Sequence, residues 1–300
     1  MHGRQLTPEE RQWVRGADEL QEIGSWTLQR LDRPPARLNR YTLKDDPARA
    51  ADEERRRLRV AVSEQLDWPN PTTALRTWRS RIEDEGVLTF QFAIGAERVP
   101  GFSLWDDYTP VITINRGYNL ASRIFTLFHE YAHLLQRRDA VLDTAPTPSQ
   151  RQSIDNLERW CEQFAACLLL PADALLGVTS DAFDFRSTET VIAFDQVKKL
   201  ADQFHVSYQA MARRLEEIEL APARLVAQVD RMVSQRRREP GFSAVRRLEL
   251  RTQTYGERLP RILIEGVESD VLNRLDVLDA LDIQAGEFGL LQAQLGDTSV

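Results

Sequence analysis

The stretch that most constrains this chain is Phe125-Thr126-Leu127-Phe128-His129-Glu130-Tyr131-Ala132-His133-Leu134-Leu135. With Leu120 and Ile124, its apolar residues recur at i, i+3, i+4 and i+7, which predicts a helix with a wide apolar stripe. A helix this apolar has to be buried, and it carries H-E-x-x-H along the edge of the stripe. His129 and His133 stand one turn apart on the same face, so both imidazoles can reach one metal ion. Glu130 is rotated by about 100° from His129. Its carboxylate therefore falls beside such an ion, where a proton acceptor is wanted. The competing reading is two core histidines satisfied by other partners.

A second run supplies a third donor. Between Ser153 and Pro171 an apolar helix is expected, stopped by the proline. Glu158 and Glu162 are four apart and share one of its faces. Catalytic zinc takes three protein ligands and keeps a fourth position open, two histidines and a glutamate being one such set. Of two carboxylates at this spacing, one can ligate and the other can accept a histidine N–H. A solvated acidic face gives the same spacing.

At these residues the chain resembles the ImmA/IrrE-type metallopeptidases. The similarity runs through Ala121-Ser122-Arg123-Ile124-Phe125-Thr126-Leu127-Phe128-His129-Glu130-Tyr131-Ala132-His133, the preceding Pro110 to Asn115, and Glu158 through Pro171. It covers roughly residues 70 to 220. The resemblance implies a zinc site held by His129, His133 and Glu158, one Zn2+ per chain with Mn2+ as the other metal to consider, and Glu130 as the catalytic base. Glu162 stands where the family usually has Asn or Asp, and is expected to accept from a ligating histidine. The resemblance further implies a site-specific endopeptidase whose protein substrate is a transcriptional repressor, often of the helix-turn-helix type. From a different class, a non-proteolytic regulatory protein with a structural zinc site, acting on a repressor, a toxin or DNA, uses the same residues. An open coordination position beside Glu130 favours the enzyme, and a fourth protein ligand favours the binding protein.

The net charge of −7 argues against a protein that coats nucleic acid through charge alone. Cys161 and Cys167, the only cysteines, lie six apart on one expected helix and point to different sides, which suits a reducing cytoplasm. No apolar h-region follows Met1 and no apolar run approaches the ~18 residues of a membrane span. A cytoplasmic protein with no membrane contact is the expectation; its oligomeric state stays open.

The fold class expected is α+β and mostly helical, with a small antiparallel sheet packed on the H-E-x-x-H helix and helical flanking regions. Residues 1–68 read as an N-terminal helical segment, 69–221 as the metallopeptidase domain, and 222–300 as a helical accessory region. Thr7 caps a helix that runs to about Leu31. A charged helix over Pro47 to Leu66 carries the run Glu53 to Arg59, read as a solvated face. A helix from Thr72 or Thr73 ends at Gly86. Strands are expected at Val87 to Phe92, Gly101 to Trp105 and Val111 to Asn115, with turns at Gly95, Pro100-Gly101 and Asp106-Asp107. Val111 to Asn115, or its neighbour, is expected to be a sheet edge that pairs with substrate.

After Pro171 a polar loop is expected from Thr179 onward. Two short helices within Asp195 to Leu215, with Ser207 as N-cap, make a helix-turn-helix shape. Lys198, Lys199, Arg213 and Arg214 within it could touch phosphates, but no base-reading set accompanies them, so packing is favoured over DNA contact. His205 at the turn reads as a capping or surface residue. Arg236-Arg237-Arg238 reads as a solvated helix end before Pro240-Gly241. Both flanks, to about residue 66 and from about 222, are expected to frame the cleft and select substrates.

Overall fold

The computed structural model describes residues 6–95, 97–137, 148–182, 194–234 and 253–296. Thirteen helices and three strands are assigned there. Helices α1 to α4 span Pro8–Arg30, Pro47–Arg57, Val62–Asp67 and Pro71–Asp84. Strands β1, β2 and β3 span Leu88–Phe92, Gly101–Leu104 and Val111–Asn115. Then come α5 at Leu120–Leu135, α6 at Pro148–Leu169, α7 at Ala172–Ala182, α8 at Phe194–Phe204, α9 at Tyr208–Glu217 and α10 at Leu225–Ser234. The chain closes with α11 at Arg258–Glu268, α12 at Arg274–Leu281 and α13 at Ala285–Gly296.

The α+β, mostly helical class holds, but the sheet is mixed. Its order is β1-β3-β2, with β1 parallel and β2 antiparallel to β3. Turn residues mark where the chain bends but not which neighbour it joins. The connection over residues 93–100 is long enough to carry the chain past the place that β3 will fill, about 10 Å at two strand spacings. β3 is therefore the central strand, hydrogen-bonded on both sides, and cannot accept a substrate strand. That expectation passes to its neighbour β2, an edge strand. Gly101, Phe102 and Ser103 of β2 are buried, so a peptide could add there only by displacing covering atoms.

Strand alternation sends two sets of residues to two faces. Ile112 and Ile114 meet Ile124 and Phe128 of α5 in one core. Leu88, Phe90, Phe102 and Val111 meet Ala17, Leu20 and Leu28 of α1 and Leu259 and Leu263 of α11 in a second. Helices α1 and α11 to α13 thus lie across the sheet from α5. They complete the sheet instead of framing the metal helix, because a sheet that is apolar on both faces needs a layer on each. Glu83 of α4 ties the last part of the chain down, accepting from the backbone N–H of Glu257 (3.0 Å) and Arg258 (3.3 Å) at the start of α11. Gly256 beside it has φ +71°, and a Cβ there would run into the Glu83 carboxylate.

The charged run Glu53 to Arg59 is not a uniformly solvated face. Glu54 is fully buried and accepts from Tyr131 of α5 (2.7 Å), Tyr41 (3.1 Å) and Asn39 (2.6 Å). Arg55 donates to Leu168 O (2.7 Å) and Gln65 Oε1 (2.8 Å). The Gln65 amide in turn donates to Leu169 O and Phe204 O. These groups satisfy the last carbonyls of α6 and that of Phe204 at the end of α8, which the helices themselves leave open. Burial lowers the Arg55 pKa to about 10. The continuous helix expected to Leu66 is broken at Arg59, whose φ is +54°. Helix α7 continues through Thr179, where a polar loop was expected, and the buried Thr179 hydroxyl finds its partner within the helix by donating back to Leu175 O at 2.6 Å. The Arg236 to Arg238 cluster and Pro240-Gly241 lie outside the described residues. Among the described residues, no single helix is long and apolar enough to cross a membrane.

Candidate metal centre

Helix α5 starts at Asn119, whose side chain accepts from Ser122 N. Its apolar stripe, Ile124, Leu127, Phe128, Tyr131, Leu134 and Leu135, is fully buried. That burial fixes the rotation of the helix and sends His129 and His133 toward α6, one of its closest neighbours. α6 is set in turn by Trp160, Phe164 and Leu168. With those residues inside, Glu158 faces the two histidines.

Three donor atoms meet there. His129 Nε2 and His133 Nε2 are 3.2 Å apart. His129 Nε2 lies 3.3 Å from Glu158 Oε2, and His133 Nε2 lies 3.4 Å from Glu158 Oε1. Two ligands on a tetrahedral zinc at about 2.0–2.1 Å stand about 3.3–3.4 Å apart. The triangle therefore has the size that such an ion requires, which three groups merely sharing hydrogen bonds have no reason to match pair by pair. Among the described residues, no fourth His, Cys, Asp or Glu joins this group. Cys161, one turn beyond Glu158, is buried, and burial, helped by Glu158, Glu130 and Glu162, pushes its thiol pKa well up. Its side chain packs in the core with Trp160 and Phe164 and is not one of the converging donors.

The set is closed on one side and open on the other. The His133 side chain is 1% exposed, while those of His129 and Glu158 are 12% and 15% exposed. Glu130 is buried, and its Oε2 accepts from the Ser103 hydroxyl at 3.0 Å. Ser103 projects from β2 on the same side as Gly101, where a Cβ would come within 2.5 Å of Thr126 Cγ2 and 2.6 Å of Thr113 O. Glycine at this position lets α5 settle against the strand, and Ser103 then meets the Glu130 carboxylate. Nothing local in the sequence announces that contact, which joins residues 27 apart.

Glu162 does not accept from a histidine. It is half exposed, and its Oε2 lies 3.8 Å from Arg213 Nη1 of α9. Four residues beyond Glu158 on the same face, it has moved about 6 Å along the axis, too far to return to the same imidazoles. Arg213 is thus engaged within the molecule, and Arg214 donates to Leu170 O (3.1 Å) and pairs with Glu217. His205 lies at the turn between α8 and α9 with φ +58°, but it is buried. It stacks on Trp68 and sits 3.1 Å from Trp68 O. It is neither a surface residue nor part of the metal group.

No curated protein matches this chain significantly in sequence. Residues 82–216 match the family model described as the IrrE N-terminal-like domain, Peptidase_M78. That stretch contains β1 to β3, both metal-bearing helices, the three donors and Glu130. Over it the chain is similar to the ImmA/IrrE peptidase family.

Proposed function

We propose that the protein is a zinc-dependent, site-specific endopeptidase whose substrate is a helix-turn-helix transcriptional repressor. The observation that carries the enzymatic part is the triangle of His129, His133 and Glu158 donors, open on one side, with the Glu130 carboxylate alongside. The repressor is supported by the family resemblance alone. A bound zinc ion supplies Lewis acidity, polarising the scissile carbonyl and bringing the pKa of water toward neutrality. The chain's own residues do the rest. His129, His133 and Glu158 would hold the ion and leave one side for substrate. Glu130 accepts the proton of the attacking water and returns it to the leaving amine. Ser103 keeps the Glu130 carboxylate turned toward the site. Burial around His133 keeps bulk water from the closed side.

The test is co-incubation of the zinc-loaded protein with a candidate repressor, comparing wild type with Glu130→Gln by mass spectrometry of the products. Cleavage at one bond by wild type and none by the variant, with metal retained in both, is the expected result. Equal cleavage by the variant would remove Glu130 as the base. Binding of the repressor without cleavage by either form would favour the non-proteolytic reading, as would a fourth protein ligand on the metal.

A further inference from the structure

A cavity of about 370 Å³ lies between α5, α6 and α9; the three donors do not line it, but residues one turn from them on both helices do. Its position follows from helix periodicity. Phe125 and Ser122 precede His129 by four and seven residues and so continue the histidine-bearing face of α5. Glu162 and Ala166 follow Glu158 by four and eight and continue the ligand-bearing face of α6. All four line the cavity, and Ala210 of α9 closes its far side. The space is therefore the direct extension of the surfaces that carry the metal donors.

Its chemistry is mixed in a particular way. Phe125 of α5, Ala166 of α6 and Ala210 of α9 bring an apolar surface from each of the three helices, with Thr126 and Ser122 as neutral polar neighbours. Of the charged residues that line it, Glu162 pairs with Arg213 and Arg214 with Glu217, and Arg159 stands outside both pairs. A charged guest would have to compete with those pairs, whereas an apolar one gains by leaving water. The volume lies within the range of small-molecule pockets and admits a large side chain.

Resting on the peptidase reading, we infer that this cavity is the substrate side-chain pocket beside the scissile bond, and that it takes a bulky apolar residue. Helix α9 is then a specificity wall, which gives the second helix of the helix-turn-helix shape a task other than reading DNA. The Glu162–Arg213 contact spans its mouth from α6 to α9.

The test uses peptide hydroxamates, which grip a metal without being turned over. Two are compared on the zinc-loaded full-length protein by calorimetry: one with a benzyl side chain next to the hydroxamate and one with hydrogen there. The wild type should prefer the benzyl compound by about tenfold or more, the scale of burying an aromatic ring. Ala210→Trp should bring that ratio close to one and leave the affinity for the unsubstituted compound unchanged. Ala166→Leu, a smaller intrusion from the opposite wall, should lower the ratio part of the way and covers the case in which the tryptophan variant fails to fold. A wild-type ratio near one, or variants that weaken both compounds equally, would overturn the assignment. Because the readout needs no turnover, a protein that binds both hydroxamates with the expected ratio but cleaves nothing would sink the peptidase reading and leave the pocket standing.

Discussion

Gly101→Ala is the perturbation that tests how β2 and α5 are fitted together. An added Cβ would lie 2.5 Å from Thr126 Cγ2, 2.6 Å from the Thr113 carbonyl oxygen and 3.4 Å from Glu130 Cγ. Ordinary contact begins at 3.4 Å, so β2 must part from β3 by about 0.8 Å (3.4 less 2.6) and from α5 by about 0.9 Å (3.4 less 2.5). Packed interiors do not absorb such a shift without strain, and overpacking costs about 1–3 kcal/mol. With a backbone atom among the obstacles, the upper end applies. At roughly 2–4 °C per kcal/mol for a chain of this size class, the melting temperature should fall by about 6–12 °C. The ligands ride on α5 and α6, so zinc affinity should change little. Ser103 rides on β2, so its hydrogen bond to Glu130 is what the shift disturbs. Adding Thr126→Ser removes Cγ2 but not the Thr113 carbonyl and should restore about half of the loss. Calorimetry of the four proteins in the cycle, with zinc titrations alongside, reads all of this. A Gly101→Ala protein that melts within about 1 °C of wild type, or a double variant restored completely, would refute the reasoning.

Tyr131→Phe removes one of three donors to the buried Glu54 carboxylate and should cost about 1.5–3 kcal/mol in urea unfolding without loss of metal. His133→Ala should abolish the zinc-dependent rise in melting temperature, which in wild type corresponds to about 2.7 kcal/mol at a hundredfold excess over Kd; an undiminished rise would remove His133 from the site. Burial lowers the His205 pKa, so the unfolded chain takes up that proton first as the pH falls below about 6.5. Stability is therefore lost as the solution is acidified from pH 7 through the depressed folded value. In the metal-free protein, His205→Asn, which tolerates the positive φ, should lose less stability over that window, whereas parallel curves for the two proteins would exclude His205 as the source.

The metal histidines were legible because both lie on one helix, where spacing alone places them together. The strands were legible within about a residue because alternation and turn residues are local signals. Glu158 could be assigned from the resemblance, and the donor distances agree with it. What stayed hidden depends on which surfaces meet. The strand order needed knowledge that β2 passes beyond β3. The Ser103 to Glu130 bond needed the sheet set against α5, and the Glu162 to Arg213 contact needed α9 set against α6. Glu54 and Arg55 look solvated in a run of charges. They are buried because the buried phenol of Tyr131 and the open end of α6 each demand a polar partner, which the run supplies.

The two flanks were read as coverings for a cleft, on the ground that a peptidase needs restricted access. α2 packs on α6 and α10 on α9, but α1 and α11 to α13 meet a different physical demand. β1 presents Leu88, Phe90 and Phe92 to the face away from α5, and β2 and β3 add Phe102 and Val111. Left bare, that face would be a large apolar patch on the sheet that supports the metal helix. α1 comes from before the sheet and α11 to α13 from after it, and together they cover it. Glu83 and Gly256 fix the second of these layers to α4. Cutting the chain after residue 221 would therefore strip a layer from the sheet's core. A loss of activity in such a truncation would report a collapsed scaffold, not an opened gate. Access to the metal has to be sought on the other face of the sheet, where α5, α6 and α9 meet.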